Sequence, residues 1–291
     1  MMEYFSPLRY PGGKGKLFPF FEQMIIDNGL SDGAYVEPYV GGGAVALSLL
    51  LKEYVSRIII NDKDRSLYAF WFSVLHYADE LCRMISDIPV NMDIWYAQRE
   101  VQKHKEETDL LQLGFSTFFL NRTNRSGILK AGVIGGYDQA GKYKIDARYN
   151  KDNLIARIHR IAAYADRIEL HNEDAIDLVS SIAKKATSNT LLYLDPPYYK
   201  KGQGLYMNYY TTSDHRKIRD VISQVNLLKW VVSYDNSDFI KELYRPFRSL
   251  EFHLNYSANN GQGTEVIFFS DNSIVSKEAL GKINVVRHVD N

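Results

Sequence analysis

Tyr35-Val36-Glu37-Pro38-Tyr39-Val40-Gly41-Gly42-Gly43-Ala44, followed by Arg57-Ile58-Ile59-Ile60-Asn61-Asp62, is the stretch on which the fold turns. The run from Tyr35 has the length of a short strand, and Gly41-Gly42-Gly43 spells a tight turn. Ala44 to Lys52 carries no further glycine or proline and is long enough for a helix. Arg57 to Ile60 is a second apolar strand, and Asn61-Asp62 ends it. Strand, glycine turn, helix and strand in about 30 residues make a βαβ unit, which requires parallel strands with helices on their faces.

The same alternation returns after Lys151. Leu154 to Ala165, Ala175 to Lys184, Asp214 to Val225 and Phe239 to Leu243 read as helices. Ile168 to Leu170, Leu191 to Leu194 and Trp230 to Tyr234 read as strands, and Phe247 to Phe252 with Glu265 to Phe269 closes the sheet as two further β runs. Between the two α/β stretches the pattern changes. Leu67, Tyr68, Phe70, Trp71, Val74 and Leu75, then Trp95 to Gln112, have helical spacing. From Phe115 to Tyr149 glycines interleave with basic residues, which predicts a loop-and-hairpin region. The expected architecture is α/β: a Rossmann-like sheet with helices on both faces, formed by residues 1–64 and 151–291, with a helical and hairpin insertion at 65–150.

Composition excludes several classes. The chain has 291 residues, 45% of them hydrophobic and 24% charged, as in an ordinary globular protein. Its lone cysteine, Cys82, rules out an internal disulfide or a zinc ribbon. No apolar run is long enough to span a bilayer and no basic-then-apolar leader opens the sequence, so a cytoplasmic address is expected. Lys plus Arg and Asp plus Glu balance at 35 each. Locally they do not: residues 121–160 hold nine Lys or Arg against three Asp or Glu, and residues 199–219 hold five against one, Lys200 and Lys201 among them.

Two motifs carry chemistry. At the first, glycines Gly41 and Gly43 let backbone approach a ligand where strand passes to helix, with Glu37 just before them. Asp62, at the end of the next strand, is placed for ribose hydroxyls. The third glycine of a dinucleotide fingerprint is replaced by Ala46, so a nucleoside cofactor without pyrophosphate, such as S-adenosylmethionine, fits at least as well as NAD. A purely structural turn is the plain alternative. At the second, Leu191 to Leu194 delivers Asp195-Pro196-Pro197-Tyr198 to the carboxyl end of a strand, where α/β sites lie. Two prolines remove two backbone donors, leaving the Asp195 carboxylate and Pro196 carbonyl as acceptors suited to an amino group with two hydrogens. Tyr198 adds a ring on which a base can stack.

Leu8-Arg9-Tyr10-Pro11-Gly12-Gly13-Lys14, Val36 to Gly43, Asn61-Asp62, Phe119-Leu120-Asn121-Arg122 and Asp195-Pro196-Pro197-Tyr198 occur in this order. Together they resemble the Dam-type, alpha-group adenine-specific DNA methyltransferases of the D12 class. The resemblance runs over nearly the whole chain. It implies methyl transfer from S-adenosyl-L-methionine to the N6 of an adenine flipped out of double-stranded DNA, with no metal. Cofactor contacts fall on Tyr10, where the family often has tryptophan, and on Lys14, Asp62 and Asp195. Glu173-Asp174-Ala175 looks like the family's cofactor-adenine motif, although Asp174 is equally suited to capping the next helix. Asp195, Pro196 and Tyr198 are the expected catalytic group.

The resemblance places target recognition in the insertion. There Asn121, Arg122, Asn124 and Arg125 have side chains suited to base edges, while Lys130, Lys142, Lys144 and Arg148 suit phosphate. Asn121 and Arg122 suit equally a role in fastening the hairpin to the catalytic domain. Tyr256-Ser257-Ala258-Asn259-Asn260-Gly261 resembles a further loop near DNA. A cognate restriction endonuclease is a partner the family allows. Competing readings are a cytosine-N4 methyltransferase, which more often carries Ser at the position of Asp195, an RNA adenine methyltransferase, a silent nucleic-acid-binding module and a nicotinamide dehydrogenase.

Overall fold

The computed structural model describes residues 4–10, 14–185, 187–199, 210–255 and 262–289. Strands β1 (Ala34–Glu37), β2 (Arg57–Asn61), β3 (Ile168–His171), β4 (Thr190–Leu194), β5 (Lys229–Asp235), β6 (Ser249–Asn255), β7 (Gln262–Phe269) and β8 (Val285–Val289) form one sheet in the order β3-β2-β1-β4-β5-β7-β6-β8. The first five in that order run parallel, while β7 lies antiparallel against both β5 and β6. Both strands that flank the site, β1 and β4, are buried along their whole length. That is why they read as continuous apolar runs rather than alternating ones.

Strand periodicity sorts the core into two layers. Tyr35, Ile58, Ile60, Leu191, Tyr193 and Val231 face one side, against helices α1 (Phe18–Asp27), α2 (Ala44–Leu51) and α7 (Lys151–Ala162). Val36, Ile59, Leu192, Leu194 and Val232 face the other, against α8 (Ala175–Lys185), α9 (Thr212–Ser223) and α10 (Asp238–Leu243). A short helix α11 (Lys277–Gly281) follows β7. The chain builds β1, β2 and β3 outward in one direction and then β4 and β5 in the other. The crevice between the carboxyl ends of β1 and β4 is therefore the point where strand order reverses, the usual place for a ligand in such sheets.

The segment 65–150 does not pack apart from this sheet. Helices α3 (Arg65–His76), α4 (Ala78–Asp87), α5 (Met92–Lys103) and α6 (Leu110–Thr123) contribute Phe70, Trp71, Leu81, Trp95, Phe115, Phe118 and Phe119 to the same core as Tyr35 and Leu191. The expected run from Trp95 to Gln112 is two helices, because the Asp109 carboxylate accepts the Gln112 amide and starts a new one. Helix α6 then continues to Thr123, well into the stretch read as loop and hairpin. Its three phenylalanines are buried, and Thr117 and Thr123 return their hydroxyls to carbonyls one turn back. From Asn124 to Asn150 the backbone holds a 3-10 turn (Arg125–Gly127), further turns and one isolated bridge, Asn124 to Val133, in place of a hairpin. Helices α1 and α11 and the edge strand β8 have no counterpart among the elements expected from the sequence. Among the described residues no helix is long and apolar enough to cross a membrane.

Candidate active site

Gly43 has a left-handed backbone, φ +61°, and stands immediately before α2 with no capping side chain of its own. Glu37 supplies the missing acceptor from the end of β1, taking the Ala46 amide at 3.3 Å. One oxygen of this buried carboxyl is thus a helix cap. Burial first, and then the neighbouring Asp195, raises its pKa well above the usual carboxylate range.

Gly41 is also left-handed, φ +46°, and a Cβ there would lie 2.7 Å from the Tyr10 ring. Tyr10 therefore lies directly against the glycine turn. Its neighbours Pro11, Gly12 and Gly13 lie outside the described residues. The Gly41 amide donates to Asp62 Oδ2 at 3.0 Å, and the Asp64 amide donates to Asp62 Oδ1 at 2.9 Å. Each carboxylate oxygen keeps a further lone pair, so Asp62 is aimed and still able to accept hydroxyl hydrogens. Burial, then the charge of Asp64, pushes its pKa up to about 7. Trp71 of α3 ties the turn to the insertion by donating its indole N–H to the Gly41 carbonyl at 3.0 Å.

Asp174 is the N-cap of α8: its Oδ1 accepts the Ile176 amide at 3.0 Å and its Oδ2 pairs with Lys63 at 2.8 Å. Both oxygens are engaged in holding β2, β3 and α8 together, which favours the capping role over a cofactor contact.

At the end of β4 the Asp195 side chain is 19% exposed, and its two oxygens are treated differently. Oδ1 accepts from Ser233 Oγ at 2.7 Å and faces Lys14 Nζ at 3.2 Å. Ser233 is in turn bonded to the Tyr193 hydroxyl at 2.8 Å. Among the described residues no donor reaches Oδ2, and none reaches the Pro196 carbonyl. Burial raises the pKa of Asp195, Lys14 opposes that and a second carboxylate, Glu265, adds to it.

Glu265 is fully buried on β7, opposite Asp235 of β5. Because β7 runs antiparallel, its leading end arrives at the carboxyl end of β5 and thus beside Asp195. Lys14 donates to Glu265 Oε2 at 2.9 Å and to the Tyr198 hydroxyl at 2.5 Å, and Tyr198 donates to Glu265 Oε1 at 2.5 Å. The ammonium thus spends its three hydrogens on Tyr198, Glu265 and Asp195. Burial alone would lower its pKa, but Asp195 and Glu265 hold it well above the ordinary value, so Lys14 is charged. This corrects two expectations. Lys14, expected as a cofactor contact, has its ammonium held by three protein oxygens instead. Tyr198 is buried with its hydroxyl engaged and the Lys14 ammonium 4.9 Å from its ring centre, so it presents no open face to a base.

The insertion residues divide. Asn121 is 2% exposed; its Oδ1 accepts the Arg9 amide at 2.7 Å, and its Nδ2 donates to the carbonyls of Arg9 at 2.7 Å and Gly127 at 2.9 Å. Asn124 is also buried, accepting the Trp95 indole N–H and donating to the carbonyls of Ile128 and Leu129. Both are staples and neither can reach a base edge. Arg125, Lys130, Lys142, Lys144 and Arg148 are exposed. Arg122 is half-buried, donating to the carbonyls of Arg148 and Pro7. Its pKa is lowered to about 10 by burial and by Arg9, Arg157 and Arg148. Arg9 and Arg157 likewise donate to carbonyls, of Asn124 and Ser6. Among the described residues no carboxylate pairs with any of these four arginines, so the cluster is an uncompensated positive site. Lys200, Lys201 and the loop from Tyr256 to Gly261 lie outside the described residues.

Sequence reasoning missed Ser233, Glu265, Arg9 and Arg157 as members of these constellations. Glu265 had a signal, an acid immediately before the apolar run Val266-Ile267-Phe268-Phe269. Ser233 had a weaker one, a small polar residue inside the strand Trp230 to Tyr234.

The profile of the D12 class N6 adenine-specific DNA methyltransferases matches residues 10–257 of this chain. Over 272 residues, 84% of this chain and 90% of the relative, it is 24% identical to the type II methyltransferase M.MjaIII of Methanocaldococcus jannaschii. Among solved structures it aligns with the protein LPL1258 of Legionella pneumophila (13% identity, TM-score 0.36, 91% of this chain and 86% of that one). It also aligns with the rRNA methyltransferase aviRa of Streptomyces viridochromogenes (12% identity, TM-score 0.36, 90% and 86%). Both structural likenesses are too loose to bear on function.

Proposed function

The chain belongs to the D12 class of N6 adenine-specific DNA methyltransferases, and from that premise we propose that S-adenosyl-L-methionine lies in the crevice between β1 and β4 and that Asp195 receives the amine of a flipped-out adenine. The observation that carries this reading is the asymmetry of Asp195: Oδ1 is fixed by Ser233 and Lys14, and Oδ2 takes no donor among the described residues.

The residues of the crevice suit the cofactor. Gly41 brings backbone and the Tyr10 ring to one surface, and Asp62, held by two amides, retains acceptor capacity for ribose hydroxyls. When bound, S-adenosylmethionine supplies an electrophilic methyl group. The protein's part is to make an adenine amine nucleophilic, since its lone pair is delocalised into the ring. Asp195 Oδ2 accepts one N–H and the Pro196 carbonyl the other, which favours a pyramidal nitrogen with its lone pair directed away from both acceptors. The Asp195 carboxylate then stabilises positive charge as it develops on the amine, which loses its surplus N–H proton to water once the methyl has been transferred. Ser233 and Tyr193 keep the carboxylate from turning.

The target base leaves the stack of double-stranded DNA to reach this pocket. The Arg9, Arg122, Arg148 and Arg157 cluster supports contact with backbone phosphate, and Arg125, Lys130, Lys142 and Lys144 of the same insertion are exposed and available for it. The whole-chain balance of charge hides this local excess. The likeness to a type II methyltransferase is the ground for proposing a restriction endonuclease of matching site as partner.

Asp195→Ala tests the assignment. Transfer of labelled methyl from S-adenosylmethionine to adenine in duplex DNA is expected to fall by at least ~100-fold, while cooperative thermal unfolding shows that the fold is retained. Methyl transfer at the parent rate would refute it.

A further inference from the structure

We propose that Glu265 is a positioning residue for methyl transfer: it draws the Lys14 ammonium and the Tyr198 hydroxyl toward itself, so that Asp195 keeps an oxygen and a net negative charge for the amine. The proposal rests on Asp195 being the amine acceptor, as above.

Distances define the arrangement. Lys14 Nζ lies 2.9 Å from Glu265 Oε2 but 3.2 Å from Asp195 Oδ1, and its shortest bond is to Tyr198, which Glu265 itself orients. Lys14 and Glu265 are both buried, with side-chain exposures of 4% and 0%, so water screens little of their charge. Among the described residues one ammonium faces two carboxylates, so these three groups together carry one net negative charge. Without Glu265, Lys14 and Asp195 would be a neutral pair. The ammonium would then close on Asp195 and compete with the amine for its oxygens. A neutral pocket also loses the attraction for a nitrogen that becomes cationic as it is methylated. Tyr198 then has a role that does not require an open ring: it completes the bridge from Glu265 to Lys14.

Glu265→Gln is the direct perturbation, since glutamine keeps the shape and can still bond Tyr198. The expected result is a fall in kcat of about tenfold or more with cofactor affinity within about twofold. A merely structural glutamate would not move the pH profile, so the acid limb of the rate is the second readout. The groups facing Asp195 among the described residues are Lys14 from the turn before α1, Glu265 from β7, Ser233 from β5, Tyr193 from β4 and Tyr35 and Glu37 from β1. Removing the Glu265 charge should move the acid limb to lower pH, and Lys14→Met should move it to higher pH. The double variant Lys14→Met with Glu265→Gln restores one net negative charge and removes both buried ions. It should fold even where Glu265→Gln does not, and should exceed either single variant in kcat. Parent-like kcat in Glu265→Gln, a double variant no faster than the singles, or an acid limb unmoved in both singles would each overturn the proposal. Asp195→Ala, run alongside, separates the two layers: activity there refutes the amine-acceptor reading itself, whatever Glu265 does.

Discussion

Asn121→Ala distinguishes a residue that holds the protein together from one that reads DNA. In the structure this amide makes three hydrogen bonds to main chain, all between 2.7 and 2.9 Å, from a site 2% exposed. Alanine leaves the Arg9 amide without its acceptor and deprives the Arg9 and Gly127 carbonyls of a donor. One orphaned buried donor costs ~1–3 kcal/mol, and the two carbonyls add a smaller amount, for a total of about 3 kcal/mol. At roughly 2 °C per kcal/mol for a chain of this size, Tm should fall by about 6 °C. Asn121→Asp should be worse. It preserves the acceptor for Arg9 but turns an amino group that faced two carbonyl oxygens into an oxygen that faces them. Scanning calorimetry gives the stability, and methylation of a panel of duplexes differing at single positions gives the specificity. Because the amide joins Arg9 to the Gly127 turn, loosening it should weaken all DNA sequences alike. A Tm unchanged within 1 °C, accompanied by relaxed specificity at one base pair, would refute the staple and restore the base-reading role.

Two further predictions concern charge. Arg157→Gln removes one member of the arginine cluster, so the log-log dependence of DNA affinity on salt should flatten by about one unit, for non-cognate DNA as well. An unchanged slope measured by fluorescence anisotropy would remove Arg157 from the interface. Asp62, with its pKa near 7, should make cofactor binding pH-dependent, because ribose hydroxyls donate to the carboxylate and not to the acid. Its ionised fraction falls about tenfold from pH 8 to pH 6, so Kd measured by calorimetry should rise about tenfold over that range, and Asp62→Asn should abolish the dependence. The sign for stability is opposite: a carboxyl raised in the folded state contributes stability below the ordinary carboxylate pKa and loses it as pH rises through about 7. A Kd independent of pH in the parent protein would contradict the assignment.

Sequence by itself determined the βαβ start, the parallel sheet with helices on both faces, and the placing of Gly41, Asp62 and Asp195 at strand ends. Those features follow from local periodicity and turn chemistry, which each segment carries independently of the rest. It also pointed to the family through motifs whose order survives in one dimension. Tertiary structure decided which polar residues face inward. Asn121 and Asn124 have the chemistry of base readers, but both are buried among carbonyls, which composition does not reveal. Lys14 and Tyr198 look like ligand contacts until Glu265, 251 residues away from Lys14, is brought beside them by the antiparallel β7. Arg9 and Arg157 meet Arg122 and Arg148 in the same way, across the fold. Hydrogen-bond satisfaction and charge balance are sums over neighbours in space, so they become defined only when the chain has closed on itself.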